Sequence, residues 1–521
     1  MSAGAADLPA THGAERQRAL LIALWLVSAP FLCLLYLTAP PSPDQSQFDY
    51  MGWLALNGGP FYVGSFDMNW PGKMALHALG IRLFGVEAWT WRLTDFLLMQ
   101  ALAAAAAWFL WRAGWRMAPF IFLALYPAIY VTAGFWTAGQ RDIVAAGFLF
   151  AAAGAAMPGG RGEGWRVLLA GACVGYAVLI RPTYLTYLVG LMLLEALPLA
   201  TPLERRLPRV ARAILYPVGA GLVLGAMALS GLWRGNFDDF WAQSFVFSLS
   251  IYVGEAPQDL LATVERLFLR SWHWFSGLGA LGLALWLWRD RASHAVILAI
   301  GMGATFVVSF LVQNKGFGYH LAGFIPLLVA CTAVALDWLG ARAFSARRPL
   351  ATGLFAAAVL LVVVGTVAKI ENHRDGLAVL AQGEISPVAG WGMTEADRQQ
   401  VVEMIRAGSG PEAYVAQYGT RYALLYRAER RHSYRYFTPA ADQIRPDFPM
   451  YAAWMAEVQT GLRERTPDFV VLDRRWAQGP ADGLTPLDPD APILGALLAH
   501  VAEGHRVAFE TDAIILFEAV P

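Results

Sequence analysis

The run ALLIALWLVSAPFLCLLYL, Ala19–Leu37, followed at once by TAPPSPD, Thr38–Asp44, decides what kind of molecule this is. It is uncharged, mostly apolar and close to the ~20 residues that cross a bilayer as a helix. Pro40, Pro41 and Pro43 end it, because proline lacks an N–H and biases the residue ahead of it towards extended backbone. Arg16 and Arg18 precede the run as in a secretory leader, but it is too long for a leader's apolar core and lacks a small-residue cleavage site. The stretch reads as a first spanning helix that exits into a polar, proline-led loop.

The rest of the chain has the same character. Of 521 residues, 57% are hydrophobic and 15% charged, with a mean hydropathy of +0.45; an ordinary soluble domain carries roughly 25% charged residues. A formal net charge of zero provides no basic footprint for nucleic acid. Apolar stretches recur near 91–111, 117–136, 142–157, 167–180, 183–199, 213–232, 272–288, 294–312, 319–338 and 350–369, which predicts about eleven transmembrane helices. The segment 71–84 is also apolar but carries Lys73, His77 and Arg82.

With a cytoplasmic N-terminus, alternate connections carry Arg112/Arg116, Arg161/Arg166, Arg205/Arg206/Arg209/Arg212, Arg289/Arg291 and Arg342/Arg347/Arg348, the positive-inside pattern. An odd number of crossings places everything after Lys369 outside the cytoplasm. The three cysteines, Cys33, Cys173 and Cys331, lie in apolar runs and show no metal or redox spacing.

After residue 370 the grammar changes. A polar helical stretch at 394–407, strand-like runs at 412–418 and 468–473, and an alternating pair at 506–510 and 513–518 across Thr511-Asp512 predict a small α/β domain. The expected fold is therefore an α-helical polytopic membrane protein, residues 1–370 with a first outer loop at 38–90, followed by an extracytoplasmic α/β domain at 371–521. That last domain shows no nucleophile motif, phosphate loop or metal cluster, and reads as a cap.

Chemistry concentrates in the first outer loop. Phe48, Met51, Leu54 and Ala55 fall at helical spacing, so an amphipathic surface helix is expected after Asp44, with Asp44 as its N-cap and Gly58-Gly59 closing it. Asp49 and Asp67 lie in the same loop. A second outer loop, Asn236-Phe237-Asp238-Asp239-Phe240-Trp241, reads as a solvated interfacial loop with aromatic anchors.

Asp44-Gln45, Phe48, Gly58, Pro60-Phe61-Tyr62, Asp67, Trp70-Pro71-Gly72, Leu83-Phe84-Gly85 and Arg92-Leu93 follow one another in an order that resembles the GT-C-type membrane glycosyltransferases, in particular the bacterial branch related to protein O-mannosyltransferases and the lipid A aminoarabinose transferase. Three outer-side segments look like further family pieces: Gly139-Gln140-Arg141-Asp142, Ile180-Arg181-Pro182-Thr183 and Gln313-Asn314-Lys315-Gly316-Phe317-Gly318-Tyr319-His320. The sequence departs at Gln45, where the family usually has a second acid, and at Asn69, where lysine is common.

The resemblance implies a GT-C-like fold over 1–370 in a bacterial inner membrane, and transfer of a sugar from a polyprenyl-phosphate donor to an extracytoplasmic glycan, lipid or protein, with no divalent metal predicted and none excluded. Such a reaction needs a base for the acceptor hydroxyl and cations for the departing lipid phosphate. Asp44 is the leading base, with Asp67 and Asp49 as alternatives. Arg141, Arg181 and Lys315 are the phosphate candidates, since ionisable groups at membrane depth are costly and mark function. His320 either joins them or caps a helix. Tyr319, Tyr62 and Gln45 are the substrate-binding candidates. A transporter or flippase of lipid-linked glycans, and a ligase or polymerase using similar donors, are the competing classes.

Overall fold

The computed structural model describes residues 8–159, 161–197, 206–252, 259–290, 293–345, 349–477 and 491–520. Arg205, Arg291, Arg347 and Arg348, which entered the topology argument, lie outside the described residues. Two compact units emerge: Met1–Tyr36 with Asp95–Ala226 and Pro257–Ala378, and Leu37–Thr94 with Met227–Ala256 and Val379–Pro521.

The first unit is helical. Among the described residues of the chain, seven helices are long and apolar enough to cross a membrane: Glu15–Leu37, Thr90–Arg112, Glu163–Ile180, Arg209–Leu232, His294–Gln313, Phe324–Ala343 and Pro349–Ile370. The remaining stretches expected to span form the helices Ala118–Thr132, Arg141–Ala156, Leu185–Ala196 and His273–Asp290. Three of these are shorter than a full crossing, and the seven plus four account for the eleven apolar runs read from the sequence.

Small residues set the packing. A Cβ on Gly282 would lie 1.7 Å from the Cys331 carbonyl oxygen, so the helices bearing these residues meet backbone to backbone, as small residues permit in membranes. The arginines read as topology markers also satisfy helix ends. Arg112 donates to the carbonyls of Gly154, Pro158 and Gly159, and Arg166 to those of Met157 and Gly159. Arg212, fully buried, pairs with Glu163 and Glu195.

The second unit holds the sheet, in the order β2-β1-β3-β5-β4, from β1 (Tyr414–Tyr418), β2 (Arg431–His432), β3 (Pro467–Asp473), β4 (His505–Glu510) and β5 (Ile514–Ala519). β1 runs parallel to β2 and β3, while β5 runs antiparallel to β3 and β4. The two-residue β2 has no pattern a sequence reading detects. Tyr50, Trp53, Leu54 and Phe66 of the segment 38–90 are buried in one core with Val415, Leu425, Val471 and Leu516 of the C-terminal segment.

Candidate active site

In the second unit, the carboxylate-bearing loop is built on the helix Pro43–Leu56. Its N-cap is Ser42, not Asp44. Ser42 Oγ accepts from the Gln45 amide at 3.4 Å and Gln45 Oε1 accepts from the Ser42 amide at 3.1 Å, a reciprocal capping box. The serine reaches back from an extended conformation, whereas Asp44 already lies within the helix behind Pro43. Asp44 is therefore a half-buried carboxylate in the first turn, where the helix dipole favours negative charge. Gln45 is buried in its cap. At the other end Gly58, with φ +85°, follows the C-cap Asn57.

Nor is this helix amphipathic and surface-lying as expected. Phe48, Asp49, Tyr50, Met51, Gly52, Trp53 and Leu54 are all buried, so it is enclosed on every side. Tyr50 and Trp53 enter the core shared with the sheet, while Phe48 and Met51 join Tyr62 and Met74 in a smaller cluster. The periodicity revealed the helix but showed only one of its two apolar surfaces.

The three aspartates have different surroundings. Asp49 Oδ1 is hydrogen-bonded to His77 Nδ1 at 2.7 Å, and the His77 ring lies flat on Trp91 at 3.5 Å between centroids, with the Lys73 ammonium 3.8 Å from the centre of the Trp91 ring. Burial pushes the Asp49 carboxyl well above the usual carboxylate range, against the pull of Arg92 and Lys73; burial and the same two cations hold His77 well below its ordinary value, so its imidazole is neutral. Asp67 is 3% exposed, and its Oδ1 accepts from the Asn69 amide at 2.7 Å and from Asn69 Nδ2 at 2.6 Å. Asp44 is the most open of the three. Asp44, Asp67 and Asp473 all raise the hydroxyl of the buried Tyr422, after burial itself, so Asp44 and Asp67 share a neighbourhood on the Tyr422 side of the loop.

Tyr62 is 2% exposed at φ +72° and is held by its own hydroxyl, which donates to the Asn69 carbonyl at 2.7 Å, and by its carbonyl, which accepts from Gln243 Nε2 at 2.8 Å and Arg435 Nη1 at 3.0 Å. The loop that carries Asp239 is tied down too. Asp239 pairs with Arg435, whose Nε also meets Glu457 Oε1 at 2.8 Å, so this carboxylate is ion-paired and not simply solvated. Arg92, fully buried, donates to the carbonyls of Ala39 at 3.2 Å and Pro40 at 2.5 Å and so fixes the turn ahead of Asp44.

In the first unit, the cation candidates come from three helix ends. Arg181 ends the helix Glu163–Ile180 in extended backbone ahead of Pro182, and its Nη2 donates to Asp142 Oδ2 at 2.5 Å. Tyr184 donates to Asp142 Oδ1 at 3.2 Å, so Asp142 orients the guanidinium. Arg141 opens the helix Arg141–Ala156 and is 7% exposed.

His320 sits in the turn Gly318–Leu321, 3% exposed; burial, then Arg181 and Arg141, hold it well below its ordinary value, which brings these three residues together around a neutral imidazole. Tyr319 meets His320 edge-on at 4.6 Å and stacks on Trp136 at 6.2 Å and on Phe317 at 5.6 Å, both within 11° of parallel. Lys315, 3% exposed, precedes Gly316, whose carbonyl accepts from Thr263 at 2.8 Å. Trp136, Asp142, Tyr422 and Arg435 were not singled out from sequence. Asp142 stood beside a candidate arginine, but the others lie far in sequence from what they touch.

No family model and no curated protein matches this chain. Solved structures do. ArnT from Cupriavidus metallidurans, bound to undecaprenyl phosphate, matches with a TM-score of 0.55 over 96% of this chain and 98% of that one, at 16% identity. Its apo state matches at 0.54 and 15% identity over the same shares. The apo oligosaccharyltransferase of Archaeoglobus fulgidus matches at 0.52 and 12% identity, over 88% of this chain and 70% of that one. The chain has the fold of the GT-C membrane glycosyltransferases.

Proposed function

We propose that this chain transfers a sugar from a polyprenyl-phosphate donor to a hydroxyl of an extracytoplasmic acceptor in a bacterial inner membrane. The observation that carries the reading is the fold likeness, over almost the whole of both chains, to a transferase solved with undecaprenyl phosphate bound. Asp44 takes the acceptor proton, the acceptor oxygen attacks the anomeric carbon, and the bond from that carbon to the phosphate oxygen breaks. The lipid phosphate then leaves towards Arg141, Arg181 and Lys315. In the first unit His320 and Tyr319 assist the phosphate ligands, in the second Tyr62 and Gln45 support the loop that carries Asp44 and contact substrate, and guanidinium and ammonium charge replaces a metal ion. Among the aspartates, Asp44 suits the base because it is half-buried on a rigid first turn, whereas Asp49 is enclosed against His77 and Asp67 is bonded to Asn69.

Asp44→Asn keeps the shape and removes the basic lone pair, so turnover of a polyprenyl-phosphate sugar by purified protein should fall by about 10²- to 10⁴-fold with donor binding retained. Near wild-type turnover in Asp44→Asn together with a dead Asp67→Asn would name the wrong carboxylate here, and three active aspartate variants would sink the mechanism. The likeness to an oligosaccharyltransferase supports a second donor class, a lipid-linked preassembled glycan. Monosaccharide and oligosaccharide donors assayed side by side separate the two.

A further inference from the structure

Asp95 is a fully buried carboxylate on the helix Thr90–Arg112, which is long and apolar enough to cross a membrane. An ionisable group in such a place marks a function by default. Two tyrosines meet it: Tyr36 Oη donates to Oδ2 at 2.7 Å, and Tyr130 Oη reaches Oδ2 at 2.8 Å and Oδ1 at 2.9 Å. Both phenols are 1% exposed. A phenol has one proton to donate, and a carboxylate only accepts. The Tyr130 proton therefore points at Asp95, and its lone pairs point away. One of them accepts the Gly139 amide at 2.9 Å.

Gly139, with φ +75°, belongs to a tight connection that starts at Gly134, φ +88°, and ends where Arg141 opens its helix. Inside it Thr137 and Ala138 donate to the Gly134 carbonyl, each at 2.9 Å. Trp136, stacked on Tyr319, is on the same connection. We propose that Asp95 is a positioning residue for donor binding: by orienting the Tyr130 hydroxyl it fixes the Gly139 turn that presents Arg141. The inference rests on the reading of Arg141 as a donor-phosphate ligand.

An amide at position 95 donates as well as accepts, so Asp95→Asn lets the Tyr130 hydroxyl reverse and release Gly139. Tyr130→Phe removes the link and keeps the ring. Tyr36→Phe removes the other bond to Asp95 and leaves the Gly139 link in place, which makes it the control for mere stability. Hydrogen exchange over 133–141 and binding of undecaprenyl phosphate are measured on the purified full-length proteins.

Tyr130→Phe and Asp95→Asn should speed exchange at Gly139 and weaken binding on the order of tenfold, as expected for one lost hydrogen bond's worth of positioning, while Tyr36→Phe does neither. Unchanged exchange and binding in Tyr130→Phe, or the same losses in Tyr36→Phe, overturns the proposal. Absence of undecaprenyl phosphate binding in the wild type overturns the donor reading instead, and the exchange comparison still decides whether Asp95 holds the turn.

Discussion

At the scale of single residues, type and position in the chain nominated the candidates, and surroundings separated them. Asp44, Asp49 and Asp67 look alike in sequence, yet only Asp49 is enclosed against a neutral histidine. Asp49→Asn can keep the hydrogen bond to His77, so it should retain turnover while Asp44→Asn loses it; steady-state kinetics on the pair is the check. His432 makes a second residue-scale prediction. Its Nδ1 accepts from the Tyr434 amide at 3.1 Å and its Nε2 bonds the Gln417 carbonyl at 3.0 Å, which leaves no room for a second ring proton. Burial brings its pKa from 6.5 down to about 3. With the folded value depressed, this contribution is fully present above pH 6.5 and is lost as pH falls towards 3, by about 1.4 kcal/mol per pH unit. His77 and His320 act in the same sense and Asp49, with a raised value, in the opposite one. Thermal unfolding in detergent should show a lower midpoint at pH 5.5 than at 7.5, with a shallower slope in His432→Gln. A midpoint unchanged over that range would refute the assignment.

At the scale of elements, the loop helix Pro43–Leu56 was legible because its apolar spacing, prolines and Gly58 are local signals. Its cap was misread because aspartate and serine both cap helices, and the choice depends on which side chain lies outside the first turn. Ser42→Ala should cost about 1 kcal/mol and loosen Asp44, visible as a lower melting temperature and a reduced kcat. The helix also presses on its neighbour. A Cβ on Gly52 would lie 2.7 Å from the Ala78 amide nitrogen, on the helix Gly72–Phe84 that carries Lys73 and His77. Backbone cannot swing aside as a flexible side chain does, so Gly52→Ala should destabilise by about 1–3 kcal/mol. A wild-type melting temperature in that variant would show that the two helices are not in contact there. Nothing in the periodicity of 45–56 hinted that position 52 faces backbone and not lipid.

At the scale of the whole molecule, two predictions test the proposed orientation and chemistry. A reporter active only outside the cytoplasm, fused after Pro521, should give signal, and activity of a cytoplasm-only reporter at that point would overturn the odd crossing count. With arginines and a lysine as the phosphate's counter-charge, turnover should survive EDTA; its loss and recovery on adding a divalent cation would assign that charge to a metal. What the sequence determined by itself was everything set by solvent and by short-range pattern: a chain too apolar for water must span lipid, apolar runs near 20 residues must be helices, and the alternating runs at 506–510 and 513–518 must pair as a hairpin. Tertiary structure alone decided which charged side chains have partners and which remain open. Asp239 meets Arg435 from 196 residues away, Tyr422 senses Asp44 and Asp67, and Asp95 reaches Gly139 through Tyr130. The physical reason is range: hydropathy acts on each residue against its solvent and is additive along the chain, whereas a buried charge is governed by whichever few atoms lie within about 3 Å, and those are brought there by the fold.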